Sequence, residues 1–211
     1  MTSDAQMLTN ETVKMLDAWK GDIFGELGIS EIMKISRKKT KPWVFNALKH
    51  LTGSRLLVSK RKGNLDIYRL NLSNPLLMHA LQYIDTQKSL DFPYLNILIE
   101  TIEKIPLRNY CLLVFGSYAN GSQRKKSDLD ICFLVGNGDE KKIRPHFSDI
   151  KLASTVEIDE HYITFDDFVK MLLREEENLA KQIFRNHQLF FNPDIYFKLI
   201  MEAHKNGFRP Q

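Results

Sequence analysis

Cysteine is scarce: the 211 residues hold two, Cys111 and Cys132, each inside an apolar run. That excludes a disulfide-stapled scaffold. With no Cys or His cluster at zinc-ligand spacing, it also excludes a structural zinc module. The two thiols read as small core residues in a reducing compartment. No apolar run approaches the roughly 20 residues that span a bilayer. The opening Met1-Thr-Ser-Asp-Ala-Gln lacks the apolar stretch of a signal peptide, so the expectation is a cytoplasmic protein with no membrane role. Internal repeats and low-complexity segments are missing too. With 43% hydrophobic and 27% charged residues, the chain is of ordinary globular composition, long enough for one domain or two small ones. The net charge of +4 is mild, but it is unevenly distributed. Between Lys34 and Lys62 there are ten basic residues (Lys34, Arg37, Lys38, Lys39, Lys41, Lys49, Arg55, Lys60, Arg61, Lys62) and no acid.

The chemistry concentrates in Phe115–Val135. An apolar run, Tyr110 to Phe115, enters this stretch, and another, Ile131 to Val135, leaves it. Both read as short buried strands bounded by turn residues. Between them lie Gly116-Ser117, a polar loop with Gly121, and Asp128-Leu-Asp130. Side chains alternate along a strand, which puts Asp128 and Asp130 on one face. Two carboxylates side by side repel, and burying them unpaired is costly. A divalent, oxygen-preferring cation, Mg²⁺ above all, fits them.

Gly116-Ser117, ten residues, then Asp128-x-Asp130 resembles the signature of the DNA polymerase β-like nucleotidyltransferase superfamily, in particular its minimal nucleotidyltransferase branch. The resemblance implies a metal-dependent enzyme that moves a nucleoside monophosphate, AMP from ATP foremost, to a hydroxyl acceptor. It implies two Mg²⁺ ions, with Mn²⁺ as a substitute, the metal ligands being Asp128, Asp130 and a third carboxylate from the strand after the next helix. Glu157 and Asp159 are the candidates. They share a strand face, so the residues leave both open, and the likeness to winged-helix relatives leans to Glu157. Gly116 would let the backbone approach a phosphate closely, and Ser117 would add a donor. Arg124 and Ser127 would contact the nucleotide; Lys125 and Lys126 lie in the same basic loop. Tyr118 would stack on a base or simply pack. His161, on the face of Glu157 and Asp159, reads as structural rather than as a base. In the minimal branch, the resemblance further implies pairing with a helical HEPN-type toxin as a toxin–antitoxin system.

Ahead of this core, Asn10 is expected to cap a helix carrying Val13, Leu16 and Trp19. A short second helix follows Ser30, and Thr40 caps a third, Lys41 to about Leu51. Leu56–Lys60 and Leu65–Leu70 read as a hairpin across Lys62-Gly63-Asn64. Three helices and a hairpin over about 60 residues resemble a winged helix-turn-helix domain. The one-sign charge suits contact with a phosphate backbone. Lys41, Asn46, Lys49 and His50 would be the exposed side of the recognition helix, and Lys60, Arg61 and Lys62 the wing.

The expected fold is therefore α+β, with a winged helix-turn-helix over 1–80 and a nucleotidyltransferase fold, a small mixed sheet flanked by helices, over 81–211. Within the second part the reading gives an amphipathic helix Leu95–Ile105 and a helix from Asp139 to about Lys151 despite Pro145. It then gives a strand Ser154–Ile163, one long helix from Thr164 to about Asn186 and a last helix from Asn192-Pro193. The run Glu175-Glu-Glu177 reads as a solvated helix face. A second functional reading is a DNA-binding transcriptional regulator whose transferase fold senses a nucleotide or a partner.

Overall fold

The computed structural model describes residues 8–36 and 40–210. Arg37, Lys38 and Lys39 of the basic stretch, and the start of the chain before Leu8, lie outside the described residues. The chain divides into two compact units, one up to Ile84 and one from Asp85 onward. Among the described residues, no helix is long and apolar enough to cross a membrane.

The first unit opens with α1 (Asn10–Val13) and a 3₁₀ turn, Lys14–Trp19. Its cap is Thr9 rather than Asn10: the Thr9 hydroxyl accepts the Thr12 N–H at 3.2 Å. Met15, Leu16 and Trp19 are buried, and Trp19 is fixed by a bond from its indole N–H to the Gly25 carbonyl. A strand not foreseen in the sequence, β1 (Leu27–Gly28), precedes α2 (Ile29–Ser36) and α3 (Lys41–Gly53). Two residues hold too little pattern to signal a strand. Val44, Leu48 and Leu51 form the buried side of α3. β2 (Leu57–Lys62) and β3 (Leu65–Leu70) pair antiparallel across Gly63, whose φ of +61° suits the tight turn. β1 lies on the other edge of β3, giving the sheet order β1-β3-β2. A helix, α4 (Pro75–Ser89), carries the chain across the unit boundary.

The second unit is built on a four-stranded mixed sheet in the order β6-β5-β4-β7. After α5 (Leu95–Lys104), β4 (Tyr110–Phe115) is buried along its whole length. A single helical turn, α6 (Gly116–Asn120), and a polar loop lead to β5 (Leu129–Val135), antiparallel to β4. The helix α7 (Glu140–Ala153) holds Pro145 within it. β6 (Ile158–Thr164) then lies parallel to β5. Tyr110, Leu112 and Val114 of β4 join Leu129, Ile131, Phe133 and Val135 of β5 on one sheet face, packed with Leu98 of α5 and Ile143, Phe147 and Ile150 of α7. Alternation sends Phe115, Asp130 and Cys132 to the opposite face. Both cysteines are free and fully buried, and burial pushes their thiols up.

The long helix expected after Thr164 is two: α8 (Phe165–Leu173) and α9 (Leu179–Arg185). Asn178 makes the break. Its Oδ1 accepts the Lys181 N–H at 3.2 Å to cap α9, and its Nδ2 donates to the Met171 carbonyl at 2.7 Å. Glu175–Glu177 thus forms the bend between helices, with Glu177 paired to Arg185. β7 (His187–Phe191), also not foreseen, adds to the free edge of β4, with a register shift at Leu112/Leu113. Asn192 adopts φ +46° and donates from Nδ2 to the carbonyls of Arg108 and Tyr110, locking the start of α10 (Pro193–Lys205) to the start of β4.

Candidate active site

The site begins where β4 ends. Phe115 is extended, and Gly116 turns with φ +67°, a region that L side chains avoid. A Cβ on Gly116 would stand 2.1 Å from Oδ2 of Asp130. The glycine is required here twice over, by its dihedral and by the carboxylate against it. The Gly116 carbonyl accepts a bond from Asn186 Nδ2 at 2.9 Å, which ties this turn to the loop between α9 and β7. Gly121, at φ +72°, closes α6, and the N–H groups of Gly121 and Ser122 donate to the Ser117 carbonyl.

Register then assembles the acids. In the parallel β5–β6 ladder, Asp130 is opposite Asp159, and Cys132 is opposite His161. Partners in a parallel ladder share a face, so Asp130, Asp159 and His161 converge. One ligand atom from each lies within 4.8 Å of the others. His161 Nε2 is 3.1 Å from Asp159 Oδ2, and the His161 ring stands edge-on to Phe115, with centroids 5.3 Å apart. Burial, and next the charge of Asp159, push the Asp130 carboxyl above its usual range, while His161 opposes the rise. A carboxylate made uncomfortable by burial and by a second acid, beside an imidazole, is a donor set that suits a divalent ion.

The candidates read from the sequence are distributed around this centre. Asp128 is exposed, one residue before β5, and is not part of the converging group. Its charge nevertheless acts on Asp130 and on Tyr118. Glu157 is exposed, one residue before β6, and also stays outside the group. Its contribution is a main-chain one: its carbonyl accepts the Leu129 N–H at 2.8 Å. The ladder begins at Ile158, so the carboxylate brought beside Asp130 is that of Asp159. His161 joins them although its sequence reading is structural; the signal was its two-residue spacing from Asp159. Ser127 is engaged locally. Its hydroxyl accepts the Arg124 N–H at 2.9 Å, and its own N–H donates to the Arg124 carbonyl at 2.9 Å. Arg124, Lys125 and Lys126 are exposed beside that turn. Tyr118 packs edge-on to Phe92 and Tyr94, and its hydrogen bond to Tyr94 raises its hydroxyl pKa.

In the first unit, Lys41, Asn46 and Lys49 are exposed on α3, with Phe45 exposed among them, and His50 is half-buried. Lys60, Arg61 and Lys62 are exposed at the tip of β2. Acids from outside the one-sign stretch reach this tip. Lys60 pairs with Glu26, and its hydrogen bond holds the Glu26 carboxyl below the usual range. Asp66 stands opposite Arg61 in the ladder.

No curated protein and no solved structure matches the chain to a significant degree. Residues 96–196, running from α5 into α10 and containing the whole Asp130–Asp159–His161 group, match the family described as Polymerase beta, Nucleotidyltransferase. That match supports placing the second unit in the polymerase β-like nucleotidyltransferase superfamily, and supports nucleotidyltransferase activity in general terms.

Proposed function

We propose that the second unit transfers a nucleoside monophosphate, AMP from ATP, to a hydroxyl acceptor with the aid of a divalent metal. The observation that carries this reading is the register match of Asp130 with Asp159, set against the Gly116 turn. In the reaction, a bond forms from the acceptor oxygen to the α-phosphorus while the bond from that phosphorus to pyrophosphate breaks in line. The hydroxyl proton leaves to a base or to water, and pyrophosphate departs. The family match points to a divalent ion, which neutralises phosphate charge and lowers the pKa of the attacking hydroxyl. Asp130 and Asp159 would hold it, and Asp128, exposed one residue before β5, would offer a further carboxylate to the metal. Gly116 and Ser117 offer backbone and hydroxyl donors to the triphosphate, and Arg124 lies on the exposed loop before Asp128.

The acceptor in this reading is a protein, the helical HEPN-type toxin of a toxin–antitoxin pair. The first unit supports a further role in nucleic-acid contact. Its helix and strand order, and the exposed Lys41, Asn46 and Lys49 on one side of α3, support a winged-helix reading. A DNA-binding regulator that senses nucleotide through the second unit is the alternative those same cations favour.

The deciding experiment incubates the full chain with α-labelled ATP, Mg²⁺ or Mn²⁺, and the protein encoded beside it or a cell lysate. Asp130→Asn is the control. Label on an acceptor with the wild type only supports transfer. No such label, together with tight salt-sensitive DNA binding, overturns it in favour of the regulator.

A further inference from the structure

We propose that His161 is a metal ligand, so that this site takes a first-row transition ion, Mn²⁺ as probe, in preference to Mg²⁺. The inference rests on the metal-dependent reading above and deepens it by naming the ligand set and the class of ion. The sequence pattern called for three carboxylates, all oxygen donors. The geometry substitutes an imidazole for one of them. Asp130, Asp159 and His161 come together from alternate rungs of one parallel ladder, while Asp128 and Glu157 remain outside, each one residue before its strand.

Three observations make His161 more than a bystander. Its ring is held in place from two sides, by Phe115 edge-on at 5.3 Å between centroids and by Asp159 at 3.1 Å. It is half-buried, with a side chain 31% exposed, whereas Asp159 beside it is 57% exposed. It therefore sits on the inner side of the site and Asp159 on the outer. Asp130, in turn, is backed by the Gly116 turn, where a Cβ would stand 2.1 Å from its Oδ2. An ion held by the three side chains would meet one oxygen from each aspartate and one imidazole nitrogen.

Ligand chemistry then sets the preference. Mg²⁺ demands near-ideal octahedral oxygen coordination and gives up its waters reluctantly. A nitrogen donor adds affinity for first-row transition ions along the series that begins at Mn²⁺, and adds little for Mg²⁺. Mn²⁺ also accepts the two carboxylates, and so suits the mixed set.

The test reads the metal directly. Mn²⁺ is bound to the full chain without nucleotide and examined by pulsed electron paramagnetic resonance for coupling to a directly bound ¹⁴N. Affinities for Mn²⁺ and Mg²⁺ are measured by titration calorimetry. The expected result is ¹⁴N coupling in the wild type and in Asp128→Asn, lost in His161→Asn and His161→Gln. Mn²⁺ affinity should fall in those two variants by at least about tenfold, the lower bound seen even for outer-shell partners, while weak Mg²⁺ binding changes little. Absence of ¹⁴N coupling in the wild type overturns the proposal whether or not either variant folds. So does coupling that persists in a folded His161 variant. If that happens while labelled-ATP transfer is retained in Mg²⁺, the transferase reading stands and only the His161 assignment falls.

Discussion

Gly116 and Asp130 are packed so closely that a methyl group on the first would lie 2.1 Å from Oδ2 of the second. Gly116→Ala must therefore displace the carboxylate as well as accept φ +67°. The dihedral alone costs about 1–2 kcal/mol. The expected outcome is a modest fall in melting temperature and a fall in transfer rate of about 10²-fold or more, because a displacement of the order of 1 Å at a reacting centre costs that much. Thermal melts and initial rates with labelled ATP check both. A variant with wild-type rate would show that Asp130 works from another position.

The register of β5 against β6 separates the two candidate third acids. Asp159 is opposite Asp130, whereas Glu157 offers its main-chain carbonyl to Leu129. Asp159→Asn is expected to lower transfer by about 10²–10³-fold, the scale of losing one preorganised electrostatic group. Glu157→Gln, which keeps the carbonyl, should stay within about threefold, under the 1 kcal/mol scale of a single neutral hydrogen bond. The reverse order in steady-state kinetics would restore Glu157 to the metal set.

Asn186 touches the turn from a distant part of the chain. Its Nδ2 holds the Gly116 carbonyl at 2.9 Å, yet it lies between α9 and β7. It is a positioning residue. Asn186→Ala removes a bond worth roughly 1 kcal/mol, and is expected to lower kcat about fivefold with KM for ATP little changed. Asn186→Asp, which sets a carboxylate against a carbonyl, should be worse. A rise in KM alone would point instead to a loss of nucleotide contact.

The distance between what the residues announced and what the fold built is instructive at this site. Tyr110–Phe115 and Ile131–Val135 were legible because fully apolar runs of that length, between turn residues, have few alternatives. Gly116 was legible as special, but its reason was not: no local pattern reveals that a carboxylate from the next strand fills the space of its missing side chain. The choice of Asp159 over Glu157 depends on where the β5–β6 ladder starts. Alternation gives faces but not register. His187-Gln-Leu-Phe-Phe191 lies between two expected helices and lacks period-two alternation, so its strand character comes from tertiary pairing with β4 and not from a local pattern. The break at Asn178 follows a capping signal that was present and outvoted by the apolar stripe on either side.

The first unit offers a prediction that does not depend on the transferase chemistry. Lys41 and Lys49 are exposed on α3, whereas Lys60 is already paired with Glu26. If α3 lies along a phosphate backbone, Lys41→Ala with Lys49→Ala should flatten the slope of log Kd against log[salt] by about 2, near 0.9 per phosphate contact. Lys60→Ala should change it less. Glu26→Gln, which releases Lys60, should tighten binding. Fluorescence anisotropy with duplex DNA across a salt series measures all three variants against the wild type. A slope unchanged in the Lys41, Lys49 double variant would remove α3 from the interface.

Asp130 links the site to stability. Burial and the neighbouring Asp159 raise its carboxyl pKa in the folded chain. A carboxyl with a raised folded pKa binds its proton more tightly in the native state than in the unfolded one. Its contribution to stability is therefore fully present below the unfolded pKa and is lost as pH rises through the folded value. Asn mimics the protonated acid and titrates nowhere. In chelator, Asp130→Asn and the wild type should melt at nearly the same temperature near about pH 4, in the ordinary carboxylate range. At neutral pH the variant should melt at a higher temperature than the wild type, because the wild-type carboxyl must ionise beside Asp159 where Asn does not. Adding Mn²⁺ should reverse the order, because an ion bound only by the native wild type stabilises it by mass action. A difference in melting temperature that stays constant from acid to neutral pH would mean that Asp130 already has, in the metal-free chain, a compensating partner, and that the site does not depend on an ion to balance its charge.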